Sequence, residues 1–231
     1  MNRQLAFDLP AREAFLRGDF FASPANAAAL AAVEGGQDWP AGKMVLTGPA
    51  GSGKTHLAHI WASATGARLI EAVDLVGADL PALAASRAVG VEDADRIAGD
   101  RAAETGLFHL HNMLAGSGRL LVTATTPPRD WGMVLPDLKS RMQAAALTRI
   151  DPPDDALLSA VLVKLFADRQ IAVPANLIPF LVLRIERSIA AARDVVAKLD
   201  GLALALGRPV TRALAAAYMA PPDGLDSADA D

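Results

Sequence analysis

The chain has 231 residues and a formal charge of −4, enough for one sizeable core or one domain with a small appendage. It contains no cysteine, which excludes disulfides and zinc–thiolate sites. No apolar run approaches the roughly 20 residues that span a bilayer, and the N-terminus shows no signal core, so a cytoplasmic location without membrane contact is expected.

The predicted elements alternate through the first 150 residues. Residues 25–34 form a helix by propensity, stopped by Gly35-Gly36. A short apolar run at 43–47 reads as a buried strand, followed by a helix over 54–65 that ends at Gly66. Further strands are expected at 68–72, 88–91, 119–125 and 147–150, with a helix over 102–114. This alternation implies an α/β fold with a parallel sheet flanked by helices. After Asp151-Pro152-Pro153 the strand signals stop, and helices are expected over 154–168, 174–186, 188–206 and 210–219. The expected organisation is an N-terminal peptide at 1–10, an α/β nucleotide-binding base at 11–150, a small all-α lid at 151–220, and a tail at 221–231. That tail holds Asp223, Asp226, Asp229 and Asp231 and no base, and its composition predicts disorder. Without those four aspartates, 22 acids face 22 bases, so the body lacks the basic excess of a dedicated nucleic-acid binder.

Between the strand at 43–47 and its helix lies Gly48-Pro49-Ala50-Gly51-Ser52-Gly53-Lys54-Thr55, a match to G-x-x-x-x-G-K-[ST]. Glycines let successive backbone N–H groups turn inward around a phosphate, where a Cβ would intrude. The helix starting at Lys54 adds its N-terminal partial positive charge. Lys54 is expected on the β- and γ-phosphates, with the Thr55 hydroxyl on Mg²⁺. The bound group is therefore expected to be a purine nucleotide, ADP or ATP, with Mg²⁺.

Such a loop needs a second carboxylate near the metal and a group that positions the attacking water. The strand at 88–91 runs into Glu92-Asp93-Ala94-Asp95. Glu92 is the candidate metal ligand and Asp93 the candidate water-polarising acid. The usual order is Asp then Glu, and here it is reversed; nucleotide binding is better supported than fast hydrolysis. On the next strand Thr123 and Thr125 share a face, and either one suits a hydrogen bond to the γ-phosphate or to the lytic water, although threonine is also an ordinary strand residue. His56 and His59 fall at i, i+3 without a third metal ligand, and read as packing or surface residues. The three tryptophans are scattered and suggest no stacking platform.

The phosphate loop, the acidic strand continuing into Asp95-Arg96-Ile97-Ala98-Gly99-Asp100, the segment Leu121-Val122-Thr123-Ala124-Thr125-Thr126-Pro127-Pro128, and Leu135-Pro136-Asp137-Leu138-Lys139-Ser140-Arg141 resemble the AAA+ module of the DnaA-related ATPases over about residues 4–219. The resemblance is strongest to the family's short regulatory members. It implies that Arg141 is an arginine finger, delivered to a neighbouring molecule's γ-phosphate, where a guanidinium is worth on the order of 10³–10⁵ in rate. It also implies that Asn26, in Phe21-Ala22-Ser23-Pro24-Ala25-Asn26, belongs to a segment lining the nucleotide base, although a helix N-cap is an equal reading. Alanines at 190–192 stand where the family commonly carries its sensor arginine; Arg193, one turn further on, is the candidate substitute.

Gln4-Leu5-Ala6-Phe7-Asp8-Leu9-Pro10 resembles the peptide that binds the DNA polymerase III sliding clamp: Gln4 for a polar pocket, with Leu5, Phe7 and Leu9 for the apolar groove beside it. An N-terminal strand packed on the domain would alternate in the same way. No basic helix follows the lid, so sequence-specific DNA recognition by this chain is not expected. The resemblance implies an adaptor that binds the DNA-loaded clamp, holds ADP, and stimulates ATP hydrolysis on DnaA, with weak hydrolysis of its own and room for a homo-oligomer. The rival expectations are a helicase loader and a scaffold in which nucleotide is only structural.

Overall fold

The computed structural model describes residues 17–35 and 38–220. The clamp-peptide residues Gln4, Leu5, Phe7 and Leu9, the helix-stopping Gly36 and the acidic tail at 221–231 lie outside the described residues.

Five strands form one parallel sheet: β1 (Lys43–Thr47), β2 (Arg68–Glu71), β3 (Ala88–Glu92), β4 (Arg119–Ala124) and β5 (Ala146–Arg149), in the order β2-β3-β4-β1-β5. β1 and β3 are buried at every position, whereas the edge strands β2 and β5 are only partly covered. Continuous apolar strands are what a sheet covered on both faces requires. Successive side chains point to opposite faces, so Val45 and Leu46 enter different cores. Val45, Val91, Leu120 and Val122 pack with α4 (Arg101–Met113) and α5 (Pro136–Ala144). Leu46 and Leu121 pack with α1 (Ala27–Glu34) and α2 (Lys54–Thr65). Trp39 stacks on Trp61 at 5.5 Å between ring centroids in this second core. Their separation in sequence thus hid a buried pair. A short α3 (Leu80–Ala84), capped by Asp79, and α5 were not anticipated as helices from the sequence pattern.

Four helices follow: α6 (Asp155–Asp168), α7 (Leu177–Val182), α8 (Ile189–Leu206) and α9 (Arg212–Met219). They enclose a separate core that includes Leu158, Leu162, Phe166, Leu181 and Leu199. Asp154, Ser188 and Thr211 cap α6, α8 and α9, each accepting an amide three residues on. α7 is shorter than the expected 174–186. Pro174 closes a turn with the Leu177 N–H, and Pro179, which has no N–H, fits only a first helical turn. Among the described residues, contacts from these helices and from the linker before α6 meet the sheet unit. The Ile189 N–H donates to the Gly51 C=O at 2.7 Å, the Asp151 N–H to the Ala25 C=O at 3.0 Å, and Lys164 pairs with Asp19 at 3.1 Å.

Candidate functional site

β1 lies between β4 and β5, and the chain leaves it for the far strand β2. The crevice beyond the carboxyl ends of strands at such a reversal is where open α/β sheets bind ligands. The phosphate loop starts there. The Gly48 N–H donates to the Ala124 C=O at 3.2 Å, and a Cβ on Gly48 would lie 2.7 Å from the Ile150 carbonyl oxygen and 2.8 Å from Ser52 Oγ. Gly51 has φ +69°, and a Cβ there would lie 3.0 Å from the Cβ atoms of both Ser188 and Ala190. The start of α8 is therefore seated on the loop, through the small side chains of Ser188 and Ala190.

Lys54 is buried, and its ammonium donates to the carbonyls of Gly48 and Pro49 at 2.9 and 3.1 Å. Burial pulls its pKa below the usual 10.5, while the negative charges of Asp93, Asp95 and Glu92 act in the opposite direction. The Ser52 hydroxyl is buried and has no hydrogen-bond partner among the described residues, and buried polar groups are rarely left so. An orphaned hydroxyl, a cradle closed to a Cβ and a buried lysine bonded to the loop's own carbonyls fit a phosphate chain. Pro49, Ala50 and Gly53 complete that turn, and Gly53 with φ +106° caps α2. Thr55, the next residue of α2, is exposed and would offer its hydroxyl to Mg²⁺.

β3 ends at Glu92, which is buried and in register with Glu71 of β2. Burial first, then the charges of Glu92 and Asp93, pushes the Glu71 carboxyl up. Among the described residues no three His, Asp or Glu side chains are grouped as a metal cage. Mg²⁺ on a phosphate loop takes much of its shell from phosphate and water, and of the three acids at the end of β3 and in the loop after it, Glu92 acts on Lys54 least, after Asp93 and Asp95. Asp93 has φ +53°, in the left-handed region that costs an L-residue roughly 1–2 kcal/mol. Its N–H donates to Thr123 Oγ1 at 3.0 Å and its carboxylate lies 4.0 Å from Arg96. Thr125 is tied instead to Asp95: its N–H donates to Asp95 Oδ2 at 3.0 Å, and its hydroxyl donates to the same oxygen. In the sequence Asp95 stood as the third acid of a run and within a segment of the family resemblance, with no role of its own.

Asn26 occupies the N-cap position of α1 without making the cap bond. Its amide instead accepts from the Ser23 N–H at 2.8 Å and donates to the Phe21 C=O at 2.9 Å, so capping by its side chain is replaced by bracing of the preceding loop. That loop carries Phe20, whose ring meets His56 edge-on at 5.2 Å and lies 3.8 Å from where a Gly53 Cβ would sit. Phe20 lies beside the phosphate loop and had no sequence signal. Arg193 is half-buried on α8, about one turn beyond Ala190, which sits against Gly51.

Arg141 belongs to the other end of the molecule. It is exposed on α5, with its guanidinium 4.9 Å from the Phe108 ring centroid on α4. Nearby, Lys43 opens β1, and its buried ammonium donates to the carbonyls of Ala41, Leu114 and Gly118. His111 is held below its ordinary pKa of 6.5 by burial first, then by the charges of Lys43 and Arg141. The five residues of β1 put roughly 13 Å of strand between this group and the phosphate loop. A residue not anticipated from sequence, Glu104, anchors the chain entering α5. Buried on α4, its carboxylate accepts the N–H groups of Gly99, Val134 and Leu135. A cavity of about 520 Å³ lined by Trp39, Gly42, Gly118 and Arg119 also lies at this end, and no site residue expected from sequence lines it.

The strand order, the loop after β1 and the helical unit docked on that loop define the AAA+ type of P-loop NTPase fold. The chain is similar to domain III of the replication initiator DnaA from Thermotoga maritima, with a TM-score of 0.75, 21% identity, and 90% of this chain and 97% of that one covered. It is also similar to AMPPCP-bound DnaA from Aquifex aeolicus, with a TM-score of 0.63, 18% identity, and 80% and 66% covered. Over 130 residues its sequence is 29% identical to DnaA of Thermomicrobium roseum, which is 54% of this chain and 27% of that protein. The match thus spans about a quarter of that curated relative's length, and it marks homology to DnaA. No family model matches the sequence. Among the described residues no helix is long and apolar enough to cross a membrane.

Proposed function

We propose that this chain is a cytoplasmic adaptor of the Hda type, the regulatory inactivator of DnaA. In this reading Gly48–Thr55 hold ADP or ATP, with Thr55 and Glu92 on Mg²⁺. Asn26 and Arg193 belong to the nucleotide surroundings, and Asp93 and Thr125 serve a slow hydrolysis of the chain's own. The N-terminal peptide, through Gln4, Leu5, Phe7 and Leu9, holds the DNA-loaded sliding clamp. Arg141 is given to ATP bound on DnaA, whose hydrolysis switches the initiator off.

The observation that carries this reading is the exposure of Arg141 at the end of the strands opposite the phosphate loop. An arginine there has no use to its own nucleotide and is free to approach another molecule's. Arg141→Ala should keep nucleotide and clamp binding while losing stimulation of DnaA-bound ATP hydrolysis by at least about a hundredfold. A variant that stimulates like the parent overturns the proposal. Clamp pull-downs comparing the parent with Gln4→Ala/Leu5→Ala test the peptide separately.

The seating of α8 on Gly51 favours one second reading, in which nucleotide serves to hold the lid and the chain is a scaffold. A nucleotide-free Lys54→Ala protein that still stimulates DnaA would support it.

A further inference from the structure

Thr125, at the carboxyl end of β4, gives both of its donors to a single oxygen. Its N–H and its hydroxyl both go to Asp95 Oδ2. A carboxylate only accepts, so the hydroxyl hydrogen lies on the Asp95 side and Thr125 Oγ1 presents lone pairs alone to its surroundings. Thr125 is exposed, and its chain neighbour Ala124 takes the Gly48 N–H at 3.2 Å, which puts this strand end beside the start of the phosphate loop. Asp93 acts on Lys54 more strongly than Asp95 does, but its hydrogen bond to this strand end is a backbone one, from its N–H to Thr123 Oγ1, and does not reach the Thr125 hydroxyl. The second oxygen of Asp95, Oδ1, is buried and has no partner among the described residues. Among the described residues the hydrogen bonds that hold this carboxylate come from Thr125.

We infer that Asp95 is a positioning residue that fixes the Thr125 hydroxyl as an acceptor, suited to take a hydrogen from water and unable to donate one to a terminal phosphate. The inference rests on the nucleotide-site reading above. Outer phosphate oxygens are themselves acceptors, so an acceptor-only hydroxyl gains nothing from a third phosphate. Freeing its hydrogen would add one hydrogen bond, and one made to a charged group is among the stronger kind. The negative charge of Asp95, like those of Asp93 and Glu92, acts on Lys54.

The test is calorimetric titration of the full chain with ADP and with AMPPCP in the presence of Mg²⁺, reading the ratio of the two affinities. Asp95→Ala releases the hydroxyl and should raise AMPPCP affinity relative to ADP about five- to tenfold. Asp95→Asn keeps an acceptor oxygen and should stay near the parental ratio. In a Thr125→Val background Asp95→Ala should change nothing further, whereas Thr125→Ser should retain the full response. Equal rises in Asp95→Ala and Asp95→Asn would mean that charge alone acts and would overturn the inference. So would a rise that persists without the Thr125 hydroxyl, or no rise at all. A parent that binds neither nucleotide sinks the nucleotide-site reading along with this one. A parent that binds both, with variants unchanged, sinks only the role of Asp95.

Discussion

Replacing Gly51 by alanine measures how firmly the phosphate loop is seated on the helical lid. Two costs follow from the geometry. The backbone at φ +69° costs an L-residue roughly 1–2 kcal/mol. The new Cβ would lie 3.0 Å from the Cβ atoms of Ser188 and Ala190 and 3.1 Å from the Ala190 nitrogen. Carbon pairs rest at about 3.5–4.0 Å, and both neighbours are short, with no flexible end to swing aside. The start of α8 must withdraw by several tenths of an ångström, an overpacking worth roughly 1–3 kcal/mol, and the Ile189 N–H bond to the Gly51 C=O lengthens with it. The sum is about 3 kcal/mol, and at about 2–4 °C per kcal/mol for a protein of this size the Tm falls by roughly 6–12 °C. Gly66→Ala is the control, because Gly66 has φ +70° but no atom of the described residues within 4 Å of a new Cβ. It carries the backbone cost alone and should fall by roughly 2–8 °C. Melting followed by circular dichroism separates the two. Equal melting temperatures for the two variants would refute the claim that α8 bears on the loop.

Two further outcomes concern the end of the molecule that carries Arg141. Glu104→Gln brings an NH₂ group to a buried position where Gly99, Val134 and Leu135 all present N–H donors; the expected loss is roughly 2–4 kcal/mol, and denaturant unfolding that shows under about 1 kcal/mol would refute it. His111 has a folded-state pKa below its ordinary 6.5, with burial the first cause and Lys43 and Arg141 next, against a side-chain hydrogen bond with Asn112. Below that value the unfolded chain binds more protons than the folded one, so stability is full above pH 6.5 and falls as the pH drops through the folded-state pKa. Melting curves between about pH 7 and about pH 5 should be flatter in His111→Gln than in the parent; parallel curves would show that His111 does not titrate differently on folding.

Local signals made much of the fold legible. Lys43–Thr47 is a strand as its apolar run predicts, and α2 runs from Lys54 to a Gly66 that adopts the left-handed conformation expected of a helix stop. The lid helices α6, α8 and α9 begin at Asp, Ser and Thr caps that are plain in the sequence. What stayed hidden depends on partners far along the chain. Asp95 finds Thr125 thirty residues away, and Glu104 finds Val134 at the same distance; neither separation leaves a periodicity. The left-handed backbone of Asp93 depends on the Thr123 hydroxyl receiving its N–H, and the expectation for its carboxylate came from order in the sequence alone. α5 escaped notice because its polar surface hides Leu138 and Met142, its two buried residues. The site was legible where one segment builds it, and obscure where the ends of β3 and β4 build it together.

The phosphate loop and Arg141 sit at opposite ends of the strands, and this restricts how two molecules can meet through them. A contact that carries one molecule's arginine to another's loop joins two unlike faces and is heterologous. A pair made that way has a direction: one end keeps an unused loop, the other an unused arginine. Nothing in the contact itself stops a third molecule from adding, so its length is set by whatever covers the terminal face. A two-fold dimer, in which one patch meets its own copy, uses neither group in this way.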